Sequence, residues 1–85
     1  MHTIDWQDFA RVELRVGTLL SVCRHEKAVK PAYVLEVDLG ELGIKTSSAQ
    51  LTDHYSAKQL LGRQVLCVCN FAPKRIAGIR SEVLV

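Results

Sequence analysis

The sequence predicts an all-β fold, a five-stranded Greek-key barrel with one short helix between strands three and four. Three observations lead to it: a long alternating first strand, two further alternating segments joined by a glycine turn, and a capped helical segment placed after them. The chain of 85 residues has room for one domain, residues 1–85. Hydrophobic residues make up 48% and charged residues 24%, a balance typical of folded rather than disordered proteins.

The first strand is predicted over residues 12–22, where apolar residues or threonine occupy every second position from Val12 to Val22. Such a segment is longer than an ordinary strand of about five or six residues. Gly17, near its middle, would allow the strand to bend or to bulge. A long bent strand is what a small barrel needs at a corner.

The next two strands read as a hairpin. Alternation over Tyr33–Leu39 predicts the second strand, Gly40–Gly43 supplies turn residues, and Ile44–Leu51 supplies the third strand. The helix is predicted within Tyr55–Gly62, where Ser56 and the glutamine three residues later have capping-box spacing and the final glycine is a C-terminal stop.

The segment Arg63–Phe71 is apolar on both faces and is therefore predicted to be a central, buried strand that Pro73 terminates. A loop containing Pro73 and Gly78 follows, and Ser81–Val85 is predicted to begin a fifth strand. Three strands, a helix and two more strands is the order of the OB-fold, whose barrel faces and loops bind nucleic acids.

Several functional classes are disfavoured by composition. The longest apolar stretch, Val65–Cys69, is too short to span a bilayer, and no signal-like N-terminus precedes it, which predicts a cytoplasmic protein without membrane insertion. Cys67 and Cys69 lack a matching Cys or His pair, so with Cys23 they are expected to be reduced and free of metal. No nucleophile, base and oxyanion donor can be assigned together, so we predict a binder without a cofactor rather than an enzyme.

The positive charge is concentrated near the C-terminus. The formal net charge is +2, and residues 70–85 contain Lys74, Arg75 and Arg80 against the single acid Glu82. A local basic cluster can bind a polyanion even when the whole chain is nearly neutral.

Two segments resemble the signatures of the tRNA-binding domain family. Asp8–Gly17 is similar to that family's opening motif, and Asn70–Ser81 is similar to its second motif, so the two bracket most of the chain. Within the family, Lys30–Tyr33, Ser47–Gln50 and Arg80–Leu84 resemble the CsaA-type proteins. The resemblance implies affinity for tRNA, a homodimer, and export-chaperone activity towards unfolded polypeptides or preproteins.

The candidate RNA-binding residues follow from the second motif and from one further loop. Lys74, Arg75 and Arg80 would place cations at the barrel rim, where a phosphate backbone could approach. Asn70 and Ser81 flank these cations and either face the RNA, as the resemblance implies, or fix the loop.

A second basic loop contains Arg24, His25, Lys27 and Lys30. It either extends the basic patch or is a solvated loop in which Glu26 offsets part of the charge. Arg15 either corresponds to the family's motif arginine or forms a structural ion pair with Glu13 or Glu36.

Two functions remain open on the sequence. In the first, basic rim residues neutralise phosphates while the shape of folded RNA determines selection. In the alternative, apolar grooves of a barrel dimer hold extended segments of unfolded client proteins. CsaA-type proteins continue for about twenty-five residues beyond Val85, so the resemblance and the strand count both imply an incomplete fifth strand and an open barrel.

Overall fold

The computed structural model describes residues 1–85. Two α-helices and six strands follow one another along the chain: α1 (Trp6–Ala10), β1 (Leu14–Arg24), β2 (Tyr33–Asp38), β3 (Ile44–Ala49), α2 (Ala57–Leu60), β4 (Gln64–Val68), β5 (Lys74–Ile76) and β6 (Ile79–Ser81). A 3-10 helix (Gly40–Leu42) lies between β2 and β3. The fold is mostly β with short helices, as predicted, and matches the OB-like arrangement although its sheets do not close into a complete barrel. No helix is both long and apolar enough to cross a membrane.

Four strands form one antiparallel sheet in the order β3-β2-β1-β4, and β5 pairs with β6 in a separate two-stranded sheet. The first three predicted strands are confirmed, each with small shifts in its bounds. The bulge in β1 lies between Leu19 and Ser21, where the register with β2 shifts, and not at Gly17. The extra residue, Leu20, is the one left without a partner in the ladder.

Gly17 permits the closest packing in the sheet. A Cβ atom built at this position would meet the Val37 side chain and would lie 2.8 Å from Leu39 Cδ2. Real Cβ atoms do not approach other heavy atoms so closely, so any larger residue would push β2 outwards. Gly17 was expected from the sequence to allow a bend or a bulge, whereas in the structure it allows the β1 backbone to lie close to the side chains of Val37 and Leu39.

The hydrophobic core lies on one side of this sheet. Ser47 is buried beside it, and its hydroxyl donates to the Val83 carbonyl at 2.8 Å, which connects β3 to the C-terminal segment. The core cluster consists of Leu19, Tyr33, Leu35, Val37, Leu39, Ala49, Leu60, Cys67 and Val83.

The other face of β1 is apolar and exposed. Leu14, Val16 and Leu20 alternate with the buried Gly17 and Leu19, and their side chains remain 41%, 61% and 47% exposed. Val16 pairs in register with Leu66 of β4, which is 59% exposed. The alternation that identified β1 as a strand therefore marks a face that this chain leaves uncovered.

Helix α2 begins and ends as the sequence predicts. The Ser56 side chain accepts from the Gln59 backbone N–H and the Gln59 side chain accepts from the Ser56 backbone N–H, which completes the capping box. Gly62, at φ 81°, turns the chain back so that its N–H donates to the Leu19 carbonyl at 2.8 Å. This bond attaches the end of α2 to β1.

Two predictions about the second half of the chain are wrong, and one helix near the N-terminus was not predicted. The segment Arg63–Phe71 is not a central buried strand, because β4 is shorter and lies at the edge of the sheet. Apolar side chains on both faces did not indicate burial: Cys67 is buried on one face, whereas Leu66 on the other face is 59% exposed. On the edge of β4 that faces away from β1, Val68 forms an isolated bridge with Leu84.

The predicted loop around Pro73 and Gly78 is instead the β5–β6 hairpin. Helix α1 was not predicted at all, although its signal was present: Asp5 and Asp8 form a capping box in which each side chain accepts from the other's backbone N–H. A short helix of this kind has too few periodic positions to be detected by its hydrophobic pattern.

We expect Gly17→Ala to lower the free energy of unfolding by about 1 to 3 kcal/mol, because the added methyl group overpacks the space filled by Val37. Urea denaturation would measure the loss. The double variant Gly17→Ala with Val37→Ala removes the closest of the colliding atoms, so its loss should be smaller than the sum of the two single losses. Additive losses would show that close packing is not the reason for this glycine.

Candidate nucleic-acid interface

The β5–β6 hairpin carries four of the six predicted site residues. Its turn consists of Ala77 and Gly78, both with positive φ, 46° and 86°. Turns of this handedness match the twist of a two-residue hairpin, but a left-handed alanine costs about 1 to 2 kcal/mol. The surrounding contacts must therefore hold the tip of the hairpin in place.

The hairpin separates its side chains onto two faces. Lys74 pairs with Ser81, and Ile76 with Ile79, on the inner face, where the isoleucines and the serine are half-buried against the sheet. The outer face carries Arg75 and Arg80, which are exposed and lie directly opposite each other in the register. The structure thus brings the three cations onto one hairpin but directs Lys74 away from the two arginines.

The paired arginines concentrate positive charge without a counterion from the protein. Like charges directly opposite each other destabilise a pair of strands. The two ion pairs of the structure are Arg11 with Asp8 and Arg15 with Glu13, and neither includes the hairpin. A bound anion between the arginines would relieve their repulsion.

The pairing of Arg15 agrees with one of the two roles considered for it. Its Nε donates to Glu13 Oε1 at 2.8 Å, and both side chains are about half exposed. Exposed pairs of this kind contribute little to stability, in the range of about 0 to 1 kcal/mol.

His25 anchors the tip of the hairpin, a role that sequence reasoning missed. Its ring is 6% exposed, Nε2 lies 3.2 Å from the Ala77 carbonyl oxygen, and Nδ1 lies 2.8 Å from Ser48 Oγ. Because a carbonyl oxygen can only accept, Nε2 is the protonated nitrogen, and in the neutral ring Nδ1 accepts from the serine hydroxyl. The sequence placed His25 in a basic loop that either extends the patch or is solvated, and only the fold shows that it is buried.

Ser81 fixes the other end of the hairpin. Its hydroxyl oxygen accepts from the Ser48 backbone N–H at 3.1 Å. The next residue, Glu82, exchanges backbone and side-chain bonds with Thr46: its N–H donates to the Thr46 carbonyl at 2.8 Å, and its Oε2 accepts from the Thr46 N–H at 3.0 Å. Ser81 therefore fixes the hairpin, as one of the two sequence interpretations proposed, and still has a hydroxyl hydrogen to donate.

The second basic loop lies beside the hairpin tip. Arg24 and Lys27 line a cleft of about 320 Å³ together with Gly78. Lys30 lines a second cleft, of about 380 Å³, on the side of Ile76. The fold therefore brings Lys30 beside Ile76 and Ala77 of the hairpin, although they are far apart in sequence.

Asn70 has a structural position. Its Oδ1 accepts from the Glu13 N–H at 2.9 Å, and its Nδ2 donates to the Arg11 carbonyl. Both ends of the amide are thus used to attach the exit of β4 to the segment between α1 and β1. Of the two sequence interpretations, the geometry supports the structural one.

The inner face of the hairpin borders a third cleft, of about 510 Å³, which also contains Phe71 and Leu84. Phe71 is 60% exposed and Leu84 is 56% exposed. This cleft combines apolar surface with the charged side chains of Lys74 and Glu82.

The cysteines have different environments. Cys67 is fully buried, and burial together with the neighbouring Cys69 raises the pKa of its thiol, so it is less reactive than an exposed thiol. The Cys69 thiol donates weakly to the Cys67 carbonyl at 3.7 Å, and Cys23 is exposed. The structure contains no group of three or more His, Cys, Asp or Glu side chains placed to hold a metal ion.

Comparison with known proteins identifies relatives over nearly the whole chain. Residues 14–85 match the family described as "Putative tRNA binding domain". A methionine–tRNA ligase from Pyrococcus horikoshii is 37% identical over 82 residues, which is 96% of this chain but 11% of the ligase. The chain thus spans about one tenth of that enzyme's length.

Solved structures match over larger shares of their length. The CsaA chaperone protein of Picrophilus torridus is 41% identical with a TM-score of 0.92, and the match covers 96% of this chain and 77% of that one. The chaperone CsaA of Bacillus anthracis is 46% identical with a TM-score of 0.91, covering 98% of this chain and 76% of that one.

We expect Asn70→Ala to lower the free energy of unfolding by about 1 to 2 kcal/mol, because it removes two hydrogen bonds that hold the start of β1. Lys74→Ala, on the exposed hairpin, is the control and should change stability by less than about 0.5 kcal/mol. Thermal or urea denaturation compares them. Unchanged stability of Asn70→Ala together with weakened RNA binding would make Asn70 a recognition residue instead.

Proposed function

The chain belongs to the tRNA-binding domain family, and on that premise we propose that it binds tRNA through the β5–β6 hairpin. In this proposal the hairpin cations neutralise phosphates, and the shape of the folded RNA, more than its base sequence, determines selection. The observation that carries it is the cross-strand pair of Arg75 and Arg80, exposed and without acidic partners. Guanidinium groups bind phosphate oxygens with paired hydrogen bonds, which suits this location.

The way the hairpin is held supports the same function. His25 binds the turn at Ala77 and Ser48 binds β6 at Ser81, so the arginines project from a strand pair attached at both ends. A positioned cation loses less conformational freedom on binding than one on a mobile loop. Lys30 would extend the basic surface from the neighbouring loop.

We assign binding rather than catalysis to this chain. The methionine–tRNA ligase is an enzyme by name, but the part that matches is a small share of it. We propose residues 1–85 as a single binding domain that acts in the cytoplasm, where its tRNA ligand would be found.

A second candidate function is that of an export-related chaperone for unfolded polypeptides, acting as a homodimer. The two solved neighbours named as CsaA chaperones favour it. So does the exposed apolar face formed by Leu14, Val16 and Leu66, since uncovered apolar patches commonly mark protein interfaces. We propose that a second copy of the chain covers this face, and a molar mass of one chain in solution would exclude that arrangement.

We expect tRNA affinity to fall steeply with salt concentration, because phosphate contacts release counterions. Lys74→Ala combined with Arg75→Ala should weaken binding and flatten the slope of log K against log salt by about one to two units. The matched control is Lys45→Ala with Lys58→Ala, which removes the same charge from β3 and α2. Equal effects of both double variants, or no effect of either, would place the phosphate contacts elsewhere.

We expect an unfolded polypeptide and total tRNA to compete if the two activities share the hairpin surface. Fluorescence polarisation of labelled tRNA, titrated with a reduced and unfolded carrier protein, measures this. If the two ligands share a site, raising the tRNA concentration to saturation should raise the amount of polypeptide needed for displacement about tenfold. Polypeptide binding with no displacement would assign the chaperone candidate to a different surface.

A further inference from the structure

We propose that the cleft on the inner face of the hairpin binds one unpaired nucleobase of the RNA, with Phe71 stacking on the base and Glu82 accepting a hydrogen bond from its edge. The proposal rests on the proposed function and adds to it a second kind of contact. It divides the hairpin into an outer face for phosphates and an inner face for a base. The proposed binding of phosphates by the arginines does not depend on this pocket.

The dimensions and lining of the cleft suit a small planar ligand. Its volume of about 510 Å³ lies within the range of about 300 to 1,000 Å³ that small-molecule sites occupy. The lining is largely apolar, with a few polar groups from Lys74, Ser81 and Glu82. Sites of this composition hold a ligand by its apolar faces and orient it by its polar edge.

Phe71 supplies the stacking surface. Its ring is 60% exposed and lies three residues before Lys74, so an aromatic face and a cation border the same cleft. Unpaired bases of RNA characteristically stack on aromatic side chains, while cations beside the ring contact the backbone. Two further exposed aromatic residues, Trp6 and Phe9, instead pack on each other in α1, with ring centroids 5.7 Å apart.

Glu82 and Ser81 supply the polar edge. Oε2 of Glu82 already accepts from the Thr46 N–H, which holds the carboxylate in position and leaves Oε1 available to accept. The Ser81 oxygen accepts from the Ser48 N–H, which leaves the hydroxyl hydrogen available to donate. A base that offers an amino group beside an accepting ring nitrogen matches this pair. Adenine and cytosine do so, whereas the donor of uracil is a ring N–H between two carbonyl oxygens, one of which the carboxylate would repel.

Lys74 is positioned for the phosphate of the same nucleotide. It lies opposite Ser81 on the inner face of the hairpin, apart from Arg75 and Arg80 on the outer face. Its ammonium group can therefore contact the backbone of a base inserted into the cleft while the arginines contact neighbouring phosphates. A single nucleotide has a planar apolar face, a polar edge and an anion, and the cleft offers a partner for each.

The first test replaces the aromatic ring and keeps its apolar character. Phe71→Leu should weaken binding of a tRNA transcript about tenfold without changing the salt slope, because no charge is removed. Phe71→Trp should restore the affinity. Binding of a fully paired RNA duplex should be unaffected by either variant. An equal loss on the duplex, or no loss on tRNA, would overturn the proposal.

The second test concerns the edge of the base. Wild-type protein should bind oligocytidine or oligoadenosine more tightly than oligouridine, by about fivefold, because their exocyclic amino groups donate to the carboxylate, whereas the single N–H of uracil lies between two carbonyl oxygens that the carboxylate repels. Glu82→Gln keeps an oxygen for the Thr46 N–H and should abolish this preference with little change in stability. A preference that is absent in wild type, or unchanged in Glu82→Gln, would contradict the assignment of Glu82.

A third variant separates this inference from the function on which it rests. Arg75→Ala with Arg80→Ala should reduce tRNA affinity and salt slope while leaving the preference among oligonucleotides intact. If the arginine variant loses affinity and Phe71→Leu does not, the base pocket is wrong and the phosphate surface stands. If neither loses affinity, the proposed function itself is wrong. If Phe71→Leu weakens binding of an unfolded polypeptide and not of tRNA, the cleft holds polypeptide and the proposal fails.

Discussion

Ser48 binds the β5–β6 hairpin from two directions. Its backbone N–H donates to Ser81 Oγ, and its hydroxyl lies 2.8 Å from His25 Nδ1, whose opposite ring nitrogen donates to the turn carbonyl of Ala77. One residue of β3 is therefore connected to both ends of the segment that presents the cations. A two-stranded hairpin is marginally stable by itself in water, so its geometry depends on these connections. The positions of Lys74 and the paired arginines follow from them.

The alternation of side chains along a strand then divides the hairpin between two tasks. Because successive residues point to opposite faces, Lys74 and Arg75 cannot serve the same surface even though they are adjacent. The outer face carries Arg75 and Arg80, and the inner face opens on a cleft with an aromatic ring and a carboxylate. The three basic side chains are thus divided between the two faces of the hairpin. The net charge of the segment does not reveal this division.

The four-stranded sheet shows a comparable division. Gly17 brings β1 close to the side chains of β2, and this packing turns Leu19 into the core and leaves Leu14 and Val16 outside. An apolar stripe on the outside of a small domain is costly in water, since about 25 cal/mol is gained for each Å² of apolar surface that is covered. The exposed stripe on β1 and β4 lies on elements distinct from the hairpin.

The sequence by itself determined the class of fold, the first three strands and the capped helix. Those predictions rest on local rules: alternation within a strand, and a Ser56–Gln59 pair that satisfies backbone groups three residues apart. It also determined the family, because the two motifs at Asp8–Gly17 and Asn70–Ser81 are continuous in the chain. The candidate cations were found for the same reason, although their function remains a prediction.

Only the tertiary structure decided which faces are buried and which residues hold the site. Periodicity shows that a face is apolar but not what covers it, so β4 was wrongly predicted to be central and the outward side of β1 was not recognised. The burial of His25 depends on Ser48 and on Ala77, which are 23 and 52 residues away along the chain. Contacts over such separations leave no local pattern, because the partners are brought together by the strands between them and not by their spacing.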